Sequence, residues 1–275
     1  MTVHNLLLEA ATVIARRDAE LLLAHTLRQP RIWLLAHPEA EVNEVEAALF
    51  LALTARRAAG EPAQYLTGTQ EFFGLELRVT PAVLIPRPET EHLVEAALAW
   101  SETQRRPLRF LDIGTGSGAI AIAIAVNLPG VEIFAADISS AALDVARENA
   151  VRLGVSERIR FVESDLLSAL GSADLPFDAI LSNPPYIPSS DAATMQREVV
   201  GHEPHTALFA GMDGLDIYRR LIPAAYAALR PGGLLALEIG FGQREALVEL
   251  LDGWDNVRFV DDYAAIPRVA LAEHP

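Results

Sequence analysis

The spacing of apolar positions changes along the chain. From Arg16 to Arg28, Ala19, Leu22, Leu23 and Leu27 fall close to an i, i+3, i+4, i+8 stripe, which places them on one face of an α-helix. Val42 to Ala59 predicts a second helix, read through Val45, Leu49 and Leu53, with Arg56 and Arg57 near its end and Gly60 and Pro62 to stop it. No strand pattern precedes Tyr65. Residues 1–66 therefore read as a small helical unit. The next stretch differs. Glu71 to Val79 alternates apolar and polar positions around Gly74, as in a β-hairpin or a bent strand. Pro81, Pro86 and Pro88 then forbid a continuous helix. Residues 67–86 read as a connector, and a helix is expected from about Glu89 to Trp100.

From Leu108 the pattern becomes strand, turn, helix, repeated. Strands are expected at 108–113, 131–136, 159–162, 177–181, 234–239, 257–260 and 268–271. Helices fit between most of them, notably Ala141 to Leu153 and Tyr218 to Leu229. This alternation predicts an α/β domain over residues 87–275, with a mostly parallel sheet covered on both faces. Ala119 to Ala125 alternates Ala and Ile with period two, nominally a strand pattern. A helix is expected instead, because alanine is the best helix former and a glycine loop precedes the segment.

Composition narrows the function classes. The chain has 275 residues, 51% of them hydrophobic and 21% charged, which is globular composition. It has 22 basic residues, all arginine, against 37 acidic ones, for a net charge of −15. That balance disfavours a protein whose main affinity is for nucleic-acid phosphates, though it leaves room for a local basic groove. There is no cysteine, hence no disulfide, thiolate metal site or cysteine nucleophile. No metal-binding pattern is present, and no metal is expected. The longest unbroken apolar run, Ala119 to Val126, is too short to span a bilayer. Met1 to Asn5 carries no basic residue ahead of Leu6–Leu8, so no signal peptide and a cytoplasmic location are expected.

Four segments carry candidate chemistry, each just after an expected strand. In the first, Asp112-Ile113-Gly114-Thr115-Gly116-Ser117-Gly118, glycines allow a sharp turn and close approach of a ligand to the backbone. Gly114-x-Gly116-x-x-Ala119 also fits the dinucleotide fingerprint. The second is Asp137, beside Ile138 and 21 residues beyond Gly116 (137 − 116). An acid here can accept from both hydroxyls of an adenosine ribose, of NAD or of S-adenosylmethionine alike; capping the next helix is the competing role, open also to Ser139 or Ser140. In the third, Ser164-Asp165-Leu166, the carboxylate could accept from an adenine amino group. The fourth is Ser182-Asn183-Pro184-Pro185-Tyr186. Prolines stiffen this turn, so Asn183 and the Pro184 carbonyl become two fixed acceptors, which suits the two donors of a planar NH2 group. Tyr186 offers an aromatic wall. A dehydrogenase has no use for that arrangement.

Asn-Pro-Pro-Tyr in this place resembles the motif of class I, S-adenosylmethionine-dependent methyltransferases that modify planar amino groups. Further segments resemble the peptide chain release factor glutamine methyltransferases, the PrmC or HemK family. They are Gly60 to Gly68, Phe72 to Leu75, Leu84 to Glu91, Glu203 to Leu208 and Leu237 to Gly240. The resemblance runs from about residue 16 to the end and is weakest at the N-terminus. Leu166 departs from it, since an aromatic residue often sits there in the family, which bears on adenine stacking.

The resemblance implies a Rossmann-like, seven-stranded methyltransferase domain after a helical substrate-recognition domain. It implies S-adenosyl-L-methionine as cofactor, S-adenosyl-L-homocysteine as product, and methylation of the glutamine in the Gly-Gly-Gln motif of class-I release factors. Gly114 to Gly118 would pass under the methionine end, Asp137 would hold the ribose, and Asp165 and Leu166 would border the adenine. Asn183 and Pro184 would hold the substrate amide against Tyr186. The Arg87-Pro88-Glu89-Thr90 turn would cover the cofactor, or merely start a helix. His202 and His205 are read as structural, and the chain as a monomer. Two alternatives stay open: an adenine-N6 methyltransferase, which would need a basic cleft, and a non-catalytic binding module, which would be expected to have lost Asn183 or the glycine loop.

Overall fold

A computed structural model of the chain describes residues 1–104, 107–193 and 195–275. Its contacts divide it into two compact units, one of Met1–Thr69 with Gln196–His202, the other of Gln70–Met195 with Glu203–Pro275.

The first unit is helical: α1 (Val3–Ala10), α2 (Arg16–Leu27), α3 (Arg31–Ala36), α4 (Glu44–Ala58) and α5 (Ala63–Thr67). Thr2 caps α1 by accepting from the Asn5 amide, and Asn43 caps α4 by accepting from Glu46. Val3, Leu6, Ala19, Leu22, Leu23, Leu34 and Phe50 fill its core. The expected stripe on α2 is buried at Ala19, Leu22 and Leu23 and half-buried at Leu27, but the one on α4 is not. Val45 is 81% exposed and Leu49 49%, while Ala47, Phe50 and Leu53 face inward. The i, i+4 row through Val45 and the row through Ala47 and Phe50 meet only at Leu53. Phe50 is the largest apolar group on the helix, and it wins the core. Buried Glu20 ties α2 to the start of α3 by accepting from both Arg16 and Arg31. Burial alone would raise its pKa, but the two guanidiniums outweigh that and lower it.

The second unit opens with a hairpin, β1 (Thr69–Phe72) and β2 (Leu75–Arg78), turned by Phe73 and Gly74 at positive φ. Expected as a connector, the hairpin belongs to this unit, because Phe72 and Leu77 are buried in its core and Asn149 pairs with both backbone groups of Arg78. In order, α6 (Glu91–Ser101), β3 (Arg109–Ile113), α7 (Ala119–Asn127), β4 (Glu132–Asp137), α8 (Ser140–Arg152), β5 (Ile159–Glu163) and β6 (Phe177–Ser182) follow. Next come α9 (Arg197–His202), grouped with the first unit, then α10 (Asp216–Ala228), β7 (Leu229–Glu238), α11 (Arg244–Leu250), β8 (Asp255–Asp261) and β9 (Pro267–Glu273). In α9, Glu198 pairs with Arg57 of α4 at 2.6 Å. The pattern gave no sign of α1, α3, α5, α9 or α11, all eight residues or shorter.

Seven strands form one sheet in the order β5-β4-β3-β6-β7-β9-β8, and β9 alone runs against its neighbours. Successive residues of β3 alternate between two cores: Phe110 packs on one face with Ile120 and Ile124 of α7, and Leu111 and Ile113 pack on the other with Tyr218 and Leu221 of α10. Both faces are thus covered, as the apolar strands require. The Ala–Ile segment is helical, and every residue from Ala119 to Ala125 is buried, so its alternation carries no solvent face. The strand order reverses between β3 and β6, and the crevice at that switch point opens beyond their carboxyl ends.

Candidate active site

An open cavity of about 360 Å³ lies at the switch point, within the size range of small-molecule sites. Gly114 and Gly116 form one wall, Asp137 and Ile138 the next, Asp165 and Leu166 a third, and Asn183, Pro184 and Pro185 a fourth. Four segments far apart in sequence therefore meet because each ends a neighbouring parallel strand.

The glycine loop is held by backbone and by two carboxylates. The amides of Gly114 and Thr115 both donate to the Ala136 carbonyl, at 2.8 and 3.0 Å. Asp112 accepts from the Thr115 hydroxyl at 2.6 Å and from the Ala121 amide at 3.2 Å, which locks the loop to the first turn of α7. Burial pushes the Asp112 carboxyl up to about 7. Gly118 has φ +83°, and a Cβ there would meet Ile122 Cδ1 at 2.8 Å and Ala146 Cβ at 3.2 Å. That position therefore requires glycine, for both its backbone and its close packing. Thr115, Ser117 and Gly118 shape the loop from behind and do not line the cavity; the Ser117 carbonyl accepts from Asn149.

Asp137 accepts from the Gly116 amide through one oxygen and from the Ser139 amide through the other, both at 2.9 Å. The cap of α8 is Ser139, whose hydroxyl accepts from Ala142. Each Asp137 oxygen keeps a further lone pair for a ligand hydroxyl. Burial raises its pKa, and the amides offset part of that. Asp165 pairs with Arg220 of α10 at 2.6 Å, both half-exposed at the cavity. Leu166 sits at φ +52° and, like Leu167, Leu170 and Leu175, packs partly buried against the core that holds Leu111 and Leu221.

The Asn183–Tyr186 turn is fixed by side chains from distant elements. Ser182 donates to the Ile113 carbonyl at 2.7 Å, tying the ends of β6 and β3. Ile187 pairs with Leu208 and Ala210, so the turn is bound to the 205–209 segment, which also lines the cavity. Gln243 donates to the Tyr186 carbonyl at 3.0 Å. The Tyr186 hydroxyl donates to Glu238 at 3.1 Å, and its pKa is raised by burial and then by that neighbouring carboxylate.

Arg87 and Thr90 do not line the cavity, whereas Ala82, Val83 and Leu84 just before them do. Arg87 instead pairs with buried Glu203 at 2.5 Å, and Glu203 also accepts from the Ile85 amide. Thr90 donates to Glu238 at 2.5 Å and accepts from Asn183 Nδ2 at 3.0 Å. Glu238, Glu203, Gln243 and Asp112 carry no role that the sequence pattern alone reveals. Only their inclusion in quoted motifs or at the head of the glycine loop marked three of them, and nothing marked Gln243. The His205 ring meets Phe209 edge-on, and among the described residues no group of three or more His, Cys, Asp or Glu side chains could hold a metal ion.

Residues 4–68 match the PrmC N-terminal domain, and residues 94–206 match the methyltransferase small domain. A release factor glutamine methyltransferase of Koribacter versatilis is 46% identical over 98% of this chain and 95% of its own length. One from Moorella thermoacetica is 45% identical over 99% of this chain and 98% of its own. Among solved structures, the hMettl16 catalytic domain shares the fold, with a TM-score of 0.59 at 20% identity over 88% of this chain and 84% of that one. The identity to full-length relatives, spread over both units and the strand-end cavity, makes the chain a methyltransferase that belongs to the release factor glutamine methyltransferase family.

Proposed function

We propose that this protein moves the methyl group of S-adenosyl-L-methionine to the side-chain amide N5 of the glutamine in the Gly-Gly-Gln motif of class-I peptide chain release factors, leaving S-adenosyl-L-homocysteine. The observation that carries this reading is the placement of Asn183 and Pro184, two acceptors for an NH2 group, on the cavity that also holds Asp137 and the glycine loop. The residues fit the cofactor: a carboxylate with spare lone pairs at ribose position, glycines that bring backbone close, and an acid and a leucine at the adenine end. The cofactor supplies an activated sulfonium methyl.

The chain's own task is then positioning. An amide nitrogen is a poor nucleophile because its lone pair is delocalised into the carbonyl. Asn183 Oδ1 and the Pro184 carbonyl accept from its two N–H groups and aim the lone pair along the line of transfer. These bonds strengthen as positive charge builds on nitrogen, so they act on the transition state. Tyr186, expected as an aromatic wall, does not line the cavity; it holds the turn from behind through its hydroxyl on Glu238. The methylated nitrogen is acidic and gives its proton to water, so no strong base is needed beforehand.

We assign residues 1–66 to recognition of the protein substrate. Ile32, Leu35, Val45 and Leu49 are exposed apolar side chains there, which supports a protein-facing role. Val45→Glu should raise KM for the release factor several-fold at unchanged kcat and unchanged cofactor affinity. We further propose a cytoplasmic monomer that needs no metal and acts on protein rather than nucleic acid; the net charge of −15 supports the last point.

The deciding experiment gives the full chain labelled S-adenosylmethionine with either a class-I release factor or duplex DNA. Mass spectrometry should place one methyl on the Gly-Gly-Gln glutamine, and a Gln→Glu release factor should accept none. Methylation of the Glu variant, or efficient labelling of adenine in DNA, would overturn the reading.

A further inference from the structure

Two motifs take no direct part in that chemistry, the turn carrying Thr90 and the strand end carrying Glu238. They lie 148 residues apart and meet directly behind the Asn-Pro-Pro-Tyr turn. Asn183 Nδ2 donates to Thr90 Oγ1, Thr90 Oγ1 donates to Glu238 Oε2, and Tyr186 donates to Glu238 Oε1. Thr90 and Glu238 are buried, 4% and 1% exposed.

We propose that Thr90 and Glu238 are positioning residues that decide which end of the Asn183 amide faces the substrate. A carboxamide has an acceptor end and a donor end, nearly equal in shape. A lone threonine hydroxyl cannot tell them apart, since it can accept from Nδ2 or donate to Oδ1. Thr90 has one proton, and the Glu238 carboxylate takes it. Thr90 is then an acceptor toward Asn183, so Nδ2 must turn to it and Oδ1 is left for the substrate NH2. The reverse orientation would set Asn183 N–H groups against substrate N–H groups. Protonation of Glu238 would let it donate to Thr90, whose own proton could then turn to Asn183 and invert the amide. The same carboxylate holds the Tyr186 hydroxyl, so both side chains of the turn share one anchor.

This inference rests on the reading of Asn183 as a substrate acceptor, and the test separates the two. Kinetics on an intact release factor would compare wild type, Thr90→Val, Thr90→Ser, Asn183→Ala and the Asn183→Ala/Thr90→Val double variant. S-adenosylmethionine affinity, measured by calorimetry, reports on folding and on the cofactor side. Thr90→Val should lower kcat about tenfold with cofactor affinity unchanged, and Thr90→Ser should stay within about twofold of wild type. In the Asn183→Ala background, Thr90→Val should cost nothing more, because no amide remains to orient. Slow Asn183→Ala beside wild-type kcat in Thr90→Val would overturn the relay alone. An equal loss from Thr90→Val in both backgrounds would also overturn it, as mere packing. Wild-type turnover by Asn183→Ala would overturn the reading of Asn183 and the relay with it. If Thr90→Val does not fold, Glu238→Gln takes its place, since its amide can present either end to Thr90; undiminished kcat in that variant would equally overturn the relay.

Discussion

The two sides of the switch-point crevice are built from different materials. On the side of β3 and β4, the loop is held mainly through its own backbone groups: glycines at positive φ, the Gly114 and Thr115 amides on one carbonyl, the Gly116 amide on Asp137 and the Ser117 carbonyl on Asn149, with Asp112 on the Thr115 hydroxyl as the exception. On the side of β6, the turn is held by side chains drawn from residues 90, 238 and 243. A backbone-built wall depends on local conformation and tolerates most changes away from its own loop. A side-chain relay transmits a change at any member to the reacting amide. The first should therefore fail in binding or folding, and the second in turnover.

Asn183→Ala should give the largest effect. It removes one of two acceptors and should lower kcat by about 10²–10³, by analogy with loss of one positioned oxyanion donor. Calorimetric affinity for S-adenosylmethionine should hold. A loss in affinity as large as the loss in kcat would erase the contrast between the two walls.

Gly118→Ala should act on stability. The new methyl would meet Ile122 and Ala146 at a backbone angle that L-residues rarely adopt. Overpacking and strain together predict about 2–4 kcal/mol of destabilisation, read from urea unfolding. Asp137→Ala should weaken S-adenosylmethionine at least about tenfold, because hydrogen bonds to a charged acceptor are worth roughly 1.5–3 kcal/mol each. Unchanged affinity in a folded variant would remove Asp137 from the cofactor wall.

The same contrast explains what the sequence made legible. The glycine loop, Asp137 and the Asn-Pro-Pro-Tyr turn are short motifs after apolar runs, so strand periodicity placed them at one edge of a parallel sheet. Ala119 to Ala125 could be read as helix against its period because the loop before it needed one. The relay was not legible, since nothing local to Thr90 or Glu238 says that a fold brings them together. The resemblance implies that the Arg87–Thr90 turn covers the cofactor, and no local pattern foretells that its Arg87 and Thr90 side chains pair with the buried carboxylates Glu203 and Glu238. The face of α4 was misread on a smaller scale. Several apolar rows were available there, and only packing around Phe50 chose among them.

The smallest effect expected is also the one that separates a site built for turnover from one built for stability. Glu238 is raised by burial from 4.5 to about 7, against which Thr90 and Tyr186 act by donating to it. Around it, Glu89 raises its pKa further and Arg268 lowers it, while the Tyr218 hydroxyl sits on its backbone carbonyl. Between pH 4.5 and 7 the unfolded chain has released this proton and the folded chain still holds it, so this group makes stability fall as pH rises. Above about 7 the folded form is ionised too, and the cost of the buried charge is fully in place. Glu238→Gln carries no such charge. Relative to wild type, it should gain about 1 kcal/mol in urea unfolding between pH 5 and pH 6, the slope flattening above about pH 7. Asp112 gives both proteins a slope of the same sign, which cancels in the difference. The same variant should turn over more slowly at pH 8, because its amide no longer commits Thr90 to accept from Asn183. A variant more stable and slower at high pH would show the carboxylate kept for orientation at the expense of stability. A difference that does not change with pH would mean that Glu238 stays in one protonation state throughout, leaving the Asn183 amide no ionisation to respond to.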